Sequence, residues 1–126
     1  MRIVETSTAP AAVGHYSQAI QQDGIVYTSG QIPLDPETGQ LVEGGIAEQT
    51  DRVMRNLANL LIASASDVNH VLKVTLYLTD LSHFETANEI YSKHMGAHKP
   101  ARTTIQVAAL PKNALIEIDA IARVSV

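Results

Sequence analysis

A chain of 126 residues with 45% hydrophobic and 17% charged side chains is long enough to bury a core and too short for two ordinary domains, so 1–126 is read as one domain. Its formal charge of -4, with nine Lys and Arg scattered along the chain, lacks the basic footprint of a nucleic-acid binder, and the absence of cysteine excludes disulfides, thiolate zinc sites and a cysteine nucleophile. MRIVETSTAP meets Glu5 before a signal core can form, and no apolar run approaches a membrane span, which together predict a cytoplasmic chain with no membrane partner.

Gly24, the stretch 33–39 and the pair Gly44-Gly45 punctuate the first half, with short strands between them. Segments 18–21 and 25–29 are predicted to pair as a hairpin, because the intervening Asp23-Gly24 is a favoured two-residue turn. From 46 to 63, Ile46, Val53, Met54, Leu57, Leu60 and Leu61 recur at helical steps, while Glu48, Asp51, Arg52 and Arg55 occupy the other side. Segment 71–78 alternates as a strand, with Leu72, Val74, Leu76 and Leu78 on one face and Lys73, Thr75 and Tyr77 on the other.

Ser82-His83-Phe84-Glu85 matches a capping box and predicts a second helix, with Phe84, Ala87, Ile90, Tyr91 and Met95 as its buried stripe and Gly96 as its end. Strands at 103–107 and 114–124 follow; in the latter, Ile116, Ile118, Ala120, Ala122 and Val124 share one face, and Leu115, Glu117, Asp119, Ile121 and Arg123 the other. The order β-β-α-β-α-β-β predicts an α+β fold: a single mixed β-sheet with two helices packed on one face. The uncovered face then presents Lys73, Thr75, Tyr77, Leu115, Glu117 and Ile121, and a partner chain is expected to bury its apolar members.

Arg102 and Glu117 are the first candidates for chemistry. Pro100 stiffens the approach to Arg102, whose guanidinium can offer two parallel donors to a planar carboxylate. Glu117 lies mid-strand between apolar neighbours, where a partly desolvated carboxylate could position or deprotonate water. A solvated ion pair or rim charge would produce the same pattern for either residue, and simple alternation explains Asp119. His15, His70, His83, His94 and His98 form no metal-binding motif, since Gly96 interrupts the spacing of His94 and His98. Ser29 precedes Gly30 but is not in a nucleophile elbow; Tyr16 and Asn88 are equally compatible with packing or local hydrogen bonding.

Tyr16-Ser17-Gln18-Ala19-Ile20, Ser29-Gly30-Gln31-Ile32-Pro33, Asn88-Glu89-Ile90-Tyr91, Pro100-Ala101-Arg102, Leu110-Pro111 and Glu117-Ile118-Asp119-Ala120-Ile121-Ala122 occur in the order seen in the reactive intermediate deaminase (Rid) family. The chain resembles the RidA-like branch of that family over nearly its whole length. The resemblance implies a chorismate-mutase-like, trimer-forming fold with sites between subunits of a homotrimer. It also implies cofactor-independent hydrolysis, with no metal, of enamine and imine intermediates (2-aminoacrylate/2-iminopropanoate and 2-aminocrotonate/2-iminobutanoate) to 2-oxo acids and ammonia.

On this resemblance Arg102 binds the carboxylate of the small imino, enamino or keto acid, Glu117 positions water, and Thr104 contributes backbone contacts. Tyr16, Ser29 and Asn88 line the substrate cleft. Thr104 stands where the family often has cysteine, Ser64-Ala65-Ser66 where an alanine-glycine helix exit is usual, and Met95 where an aromatic is frequent. The competing readings are a non-catalytic trimer that binds small carboxylates or regulates a partner, and a ribonuclease or translation inhibitor, against which the acidic balance speaks.

Overall fold

The computed structural model describes residues 1–125. In chain order the elements are β1 (Arg2–Val4), β2 (Ala19–Gln22), β3 (Ile25–Thr28), α1 (Ile46–Ala63), β4 (Val71–Leu78), α2 (Phe84–Met95), β5 (Ala101–Gln106) and β6 (Ile116–Arg123). The strands form one six-stranded sheet in the order β1-β2-β3-β6-β4-β5. Only β4 and β5 run parallel, because α2 carries the chain back between them. The expected α+β fold with a single mixed sheet is therefore present, with one addition. β1 escapes a pattern reading because three residues are too few to display alternation.

The Asp23-Gly24 turn joins β2 to β3 with φ of 52° and 78°, the left-handed pair that matches strand twist in a tight hairpin. Helix α1 has the expected bounds and buries Val53, Met54, Leu57, Leu60 and Leu61 against Val74, Leu76, Leu78, Ile116, Ile118, Ala120 and Ala122. It also buries two amides that fasten loops to it. Asn56 Nδ2 donates to the carbonyls of Ile32 and Leu34, and Gln49 Oε1 accepts from the Leu115 amide at 2.8 Å. These bonds fix the segments on either side of Glu117, since a buried amide group without a partner would be costly. Among the described residues, no helix is long and apolar enough to cross a membrane.

Two local expectations are corrected. A register shift between Val71 and Lys73 places Val71 on the buried face and turns Leu72 outward, 45% exposed. The Ser82/Glu85 capping box does not form, because the Asp80 carboxylate accepts from the Ser82 amide, and the turn Leu81–His83 precedes an α2 that begins at Phe84. One half of a capping box occurs instead at α1, where Glu48 Oε1 accepts from the Gly45 amide at 2.8 Å and glycine has no side chain to return the bond.

At the other end of α1, the Ser66 amide donates to the Leu61 carbonyl and the Ala65 amide to that of Ile62, the pairing of a Schellman exit. Its left-handed position is held by Ala65 at φ 62°. There alanine costs roughly 1–2 kcal/mol in steric strain that glycine avoids, against about 0.5–1 kcal/mol of backbone entropy that glycine loses. Ala65→Gly is therefore expected to stabilise the chain by about 0.5–1 kcal/mol, measured as a higher Tm. Met95, the other unusual residue near a helix end, is buried in the core without a polar contact.

Candidate active site

Strand register separates the sequence candidates into two groups. Arg102 on β5 pairs with Val74 of β4, whose side chain lies on the helix-covered face. Glu117 on β6 pairs with Tyr77 of β4, on the open face. Since side chains alternate across a sheet, Arg102 and Glu117 project from opposite faces with β4 between them. Within one chain they do not meet.

Around Arg102 the structure gathers residues of α2. Nη1 donates to Asn88 Oδ1 at 2.6 Å, and the guanidinium carbon lies 5.3 Å from the Phe84 ring centre and 5.2 Å from that of Tyr91. No carboxylate pairs with this exposed arginine among the described residues. Arg102 and Asn88 line a hollow of about 530 Å³ with Tyr91, His98 and Lys99. The cation is thus held by neutral groups and left free to meet an anion.

Thr104 lies two residues along the same strand. The Val107 amide donates to the Leu78 carbonyl at 2.8 Å, so alternation turns the amides of Thr103 and Ile105 toward β4. Those of Arg102, Thr104 and Gln106 point to the free edge of the sheet. Thr104 therefore presents its own N–H and C=O outward beside the guanidinium strand.

Glu117 forms the second group. It lines a groove of about 420 Å³ with Tyr16, Gly30, Ile32 and Lys112. Burial, reinforced by the negative charge of Asp119, pushes its carboxyl above the usual carboxylate range. Asp119 itself accepts from the Tyr77 hydroxyl at 2.9 Å. Gly30 makes the close approach possible: a Cβ there would stand 2.2 Å from Glu117 Oε2. The strand-like pairing of Gln31 with Ile118 holds Gly30 in place.

Ser29 lies next to this groove, but its hydroxyl donates to the Ser17 carbonyl at 2.6 Å and so serves to tie the backbone. Tyr16 is 54% exposed at the groove wall. The segment carrying Tyr16 is held by buried Gln18, which accepts from the Thr6 amide and donates to the carbonyls of Thr6, Ala9 and Pro10. Gln18, Gly30, Phe84 and Tyr91 were not singled out from the sequence for these roles. Gly30 carried no turn signal, and the two aromatics read as core because their helical spacing is that of a buried stripe.

The histidines serve local contacts. His94 Nε2 lies 2.8 Å from Asp51 Oδ1, linking α2 to α1; His70 Nδ1 meets Asp67 Oδ1 at 2.6 Å; His98 Nε2 donates to the Val71 carbonyl. No group of three or more His, Asp or Glu that could hold a metal occurs among the described residues.

Comparison with known proteins adds independent information. Residues 6–124 match the family model described as Endoribonuclease L-PSP. The 2-iminobutanoate/2-iminopropanoate deaminase of Mus musculus is 47% identical over 121 residues, covering 96% of this chain and 90% of that protein. The crystal structure of yeast Mmf1 is similar with a TM-score of 0.95 at 40% identity, covering 98% of each chain. That of E. coli TdcF with bound serine is similar with a TM-score of 0.94 at 38% identity, covering 99% of this chain and 100% of that one.

Proposed function

This chain belongs to the Endoribonuclease L-PSP family, and on that premise we propose that it hydrolyses reactive 2-enamino and 2-imino acids to 2-oxo acids and ammonia. The observation that carries this reading is an exposed arginine without a carboxylate partner among the described residues, together with a half-buried glutamate of raised proton affinity. Its 2-iminobutanoate/2-iminopropanoate deaminase relatives act on small acids of the matching kind.

In this reaction the enamine first tautomerises to the imine. Arg102 takes the carboxylate of the substrate, and the outward Thr104 backbone meets the polar atoms beside it. Water adds to the imine carbon as Glu117 takes one of its protons and passes it to the imine nitrogen, giving a neutral carbinolamine. Glu117 then takes the carbinolamine hydroxyl proton and delivers it to the nitrogen as the C–N bond breaks, so ammonia leaves and the former hydroxyl oxygen becomes the carbonyl of the 2-oxo acid. A carboxyl whose proton affinity is raised toward the working pH suits both transfers. Tyr16, Ser29 and Asn88 shape the cleft, and no cofactor enters the scheme.

Because the two groups project from opposite faces of one sheet, the reading requires that Arg102 of one chain meet Glu117 of the next, in a homotrimer. Half-exposed Tyr27 and Ile121 on the open face, together with the free edge of β5, support such an assembly. The test is to refold an equal mixture of Arg102→Ala and Glu117→Gln chains and measure 2-oxobutanoate released with a threonine dehydratase and threonine. In a head-to-tail ring, about a quarter of the clefts then combine an intact arginine with an intact glutamate, and activity recovers to about that fraction of wild type. Mixed trimers that remain inactive would exclude a shared cleft.

The family description also names an endoribonuclease activity. The charge of -4 and the scattered cations disfavour RNA as substrate here. RNA cleavage that co-purifies rigorously and survives Arg102→Ala would favour that second reading. Carboxylate binding without turnover would favour a sensor.

A further inference from the structure

We infer that Phe84 and Tyr91 are positioning residues that fix the plane of the Arg102 guanidinium and thereby set the direction from which it accepts a substrate carboxylate. This inference rests on the proposed function and assigns parts within its carboxylate site. Phe84, Asn88 and Tyr91 are spaced at four and three residues on α2, so one stripe of the helix faces Arg102. The two ring centres lie 5.3 Å and 5.2 Å from the guanidinium carbon, within the range of attraction between a cation and an aromatic face.

Within one chain the restraint comes from α2. Arg102 stands on an edge strand, exposed, with no further strand beside it and no carboxylate partner among the described residues. One hydrogen bond to Asn88 leaves the guanidinium free to pivot about it. Two rings on the same helix remove that freedom, and the N–H edge not used by Asn88 is left to form parallel bonds to a planar carboxylate. Burial pushes the Tyr91 hydroxyl up, outweighing the opposing effect of Arg102, so the ring stays neutral beside the cation. Pro100, which the sequence suggested as the stiffening element, acts on the backbone; the aromatic pair acts on the charged head.

Calorimetric titration with 2-oxobutanoate, combined with NMR of the Arg102 Nε–H group, tests this in Phe84→Leu, Tyr91→Leu, Tyr91→Phe and Phe84→Tyr. The leucine variants are expected to bind 2-oxobutanoate about tenfold more weakly and to show a more mobile Nε–H, with turnover at saturating substrate within about twofold of wild type. Tyr91→Phe and Phe84→Tyr keep the rings and are expected to retain wild-type affinity and order. A Phe84→Leu protein that is folded, binds 2-oxobutanoate within about twofold of wild type and keeps an ordered Arg102 overturns the inference. If the wild type binds 2-oxobutanoate with this ring dependence but turns over no imine, the deaminase reading falls and the positioning roles stand.

Discussion

Arg102→Ala is expected to lower kcat/KM for 2-iminobutanoate by about 10²–10³-fold, because it removes two charge-assisted hydrogen bonds to the substrate carboxylate. The fold should be preserved. Arg102 is exposed and forms no ion pair among the described residues, so its loss leaves no buried charge unmatched. Asn88 loses its partner but remains partly accessible to solvent. Arg102→Lys retains the charge and loses the fork, and should recover only part of the activity. Release of 2-oxobutanoate in the dehydratase-coupled assay, alongside an unchanged Tm, separates these outcomes; wild-type rates in Arg102→Ala would remove the residue from the mechanism.

Glu117→Gln is expected to reduce kcat by about 10²–10⁴-fold, the range lost with a general acid–base group. The same change should stabilise the protein near neutral pH. Burial raises the Glu117 pKa in the folded chain, so the stability it contributes is fully present below the unfolded pKa and is lost as pH rises through the folded value. At neutral pH the wild type therefore carries a partly desolvated negative charge that glutamine lacks. The variant should melt above wild type there, and the two should converge toward about pH 3, where the carboxyl is protonated in both states. In the wild type, the acid side of the kcat/KM profile should begin at a higher pH than an ordinary carboxylate would give. Melting curves that do not diverge between acid and neutral pH would remove the electrostatic argument, whatever happens to turnover.

Local signals made much of the fold legible. Asp23-Gly24 needs only two residues to specify its turn, and the spacing of Val53, Leu57 and Leu60 is enough to define α1. The outward turn of Leu72 was not legible, because a bulge depends on the partner strand, and alternation alone assigned it to the core. Ser82 did not become the helix-entry cap because the Asp80 carboxylate accepts from its amide and draws it into the turn Leu81–His83 that precedes α2.

The site was legible as a set of residue types but not as an arrangement. Arg102 and Glu117 stand out by composition and motif order, yet their opposite orientations follow from the registers Val74 with Arg102 and Tyr77 with Glu117. Those registers are set by contacts far apart in the chain. Gly30 shows the same limit: its glycine is required by a carboxylate 87 positions later in the chain, at a φ that any residue could adopt.

The opposite orientations of Arg102 and Glu117 bear on how such an enzyme would respond to dilution. On the proposed mechanism, Arg102 and Glu117 of a single chain serve different clefts, so a newly made or dispersed copy would hold every part and be idle. For an enzyme assembled this way, specific activity falls steeply once its concentration drops below that needed for association, and abundance itself becomes the on-switch.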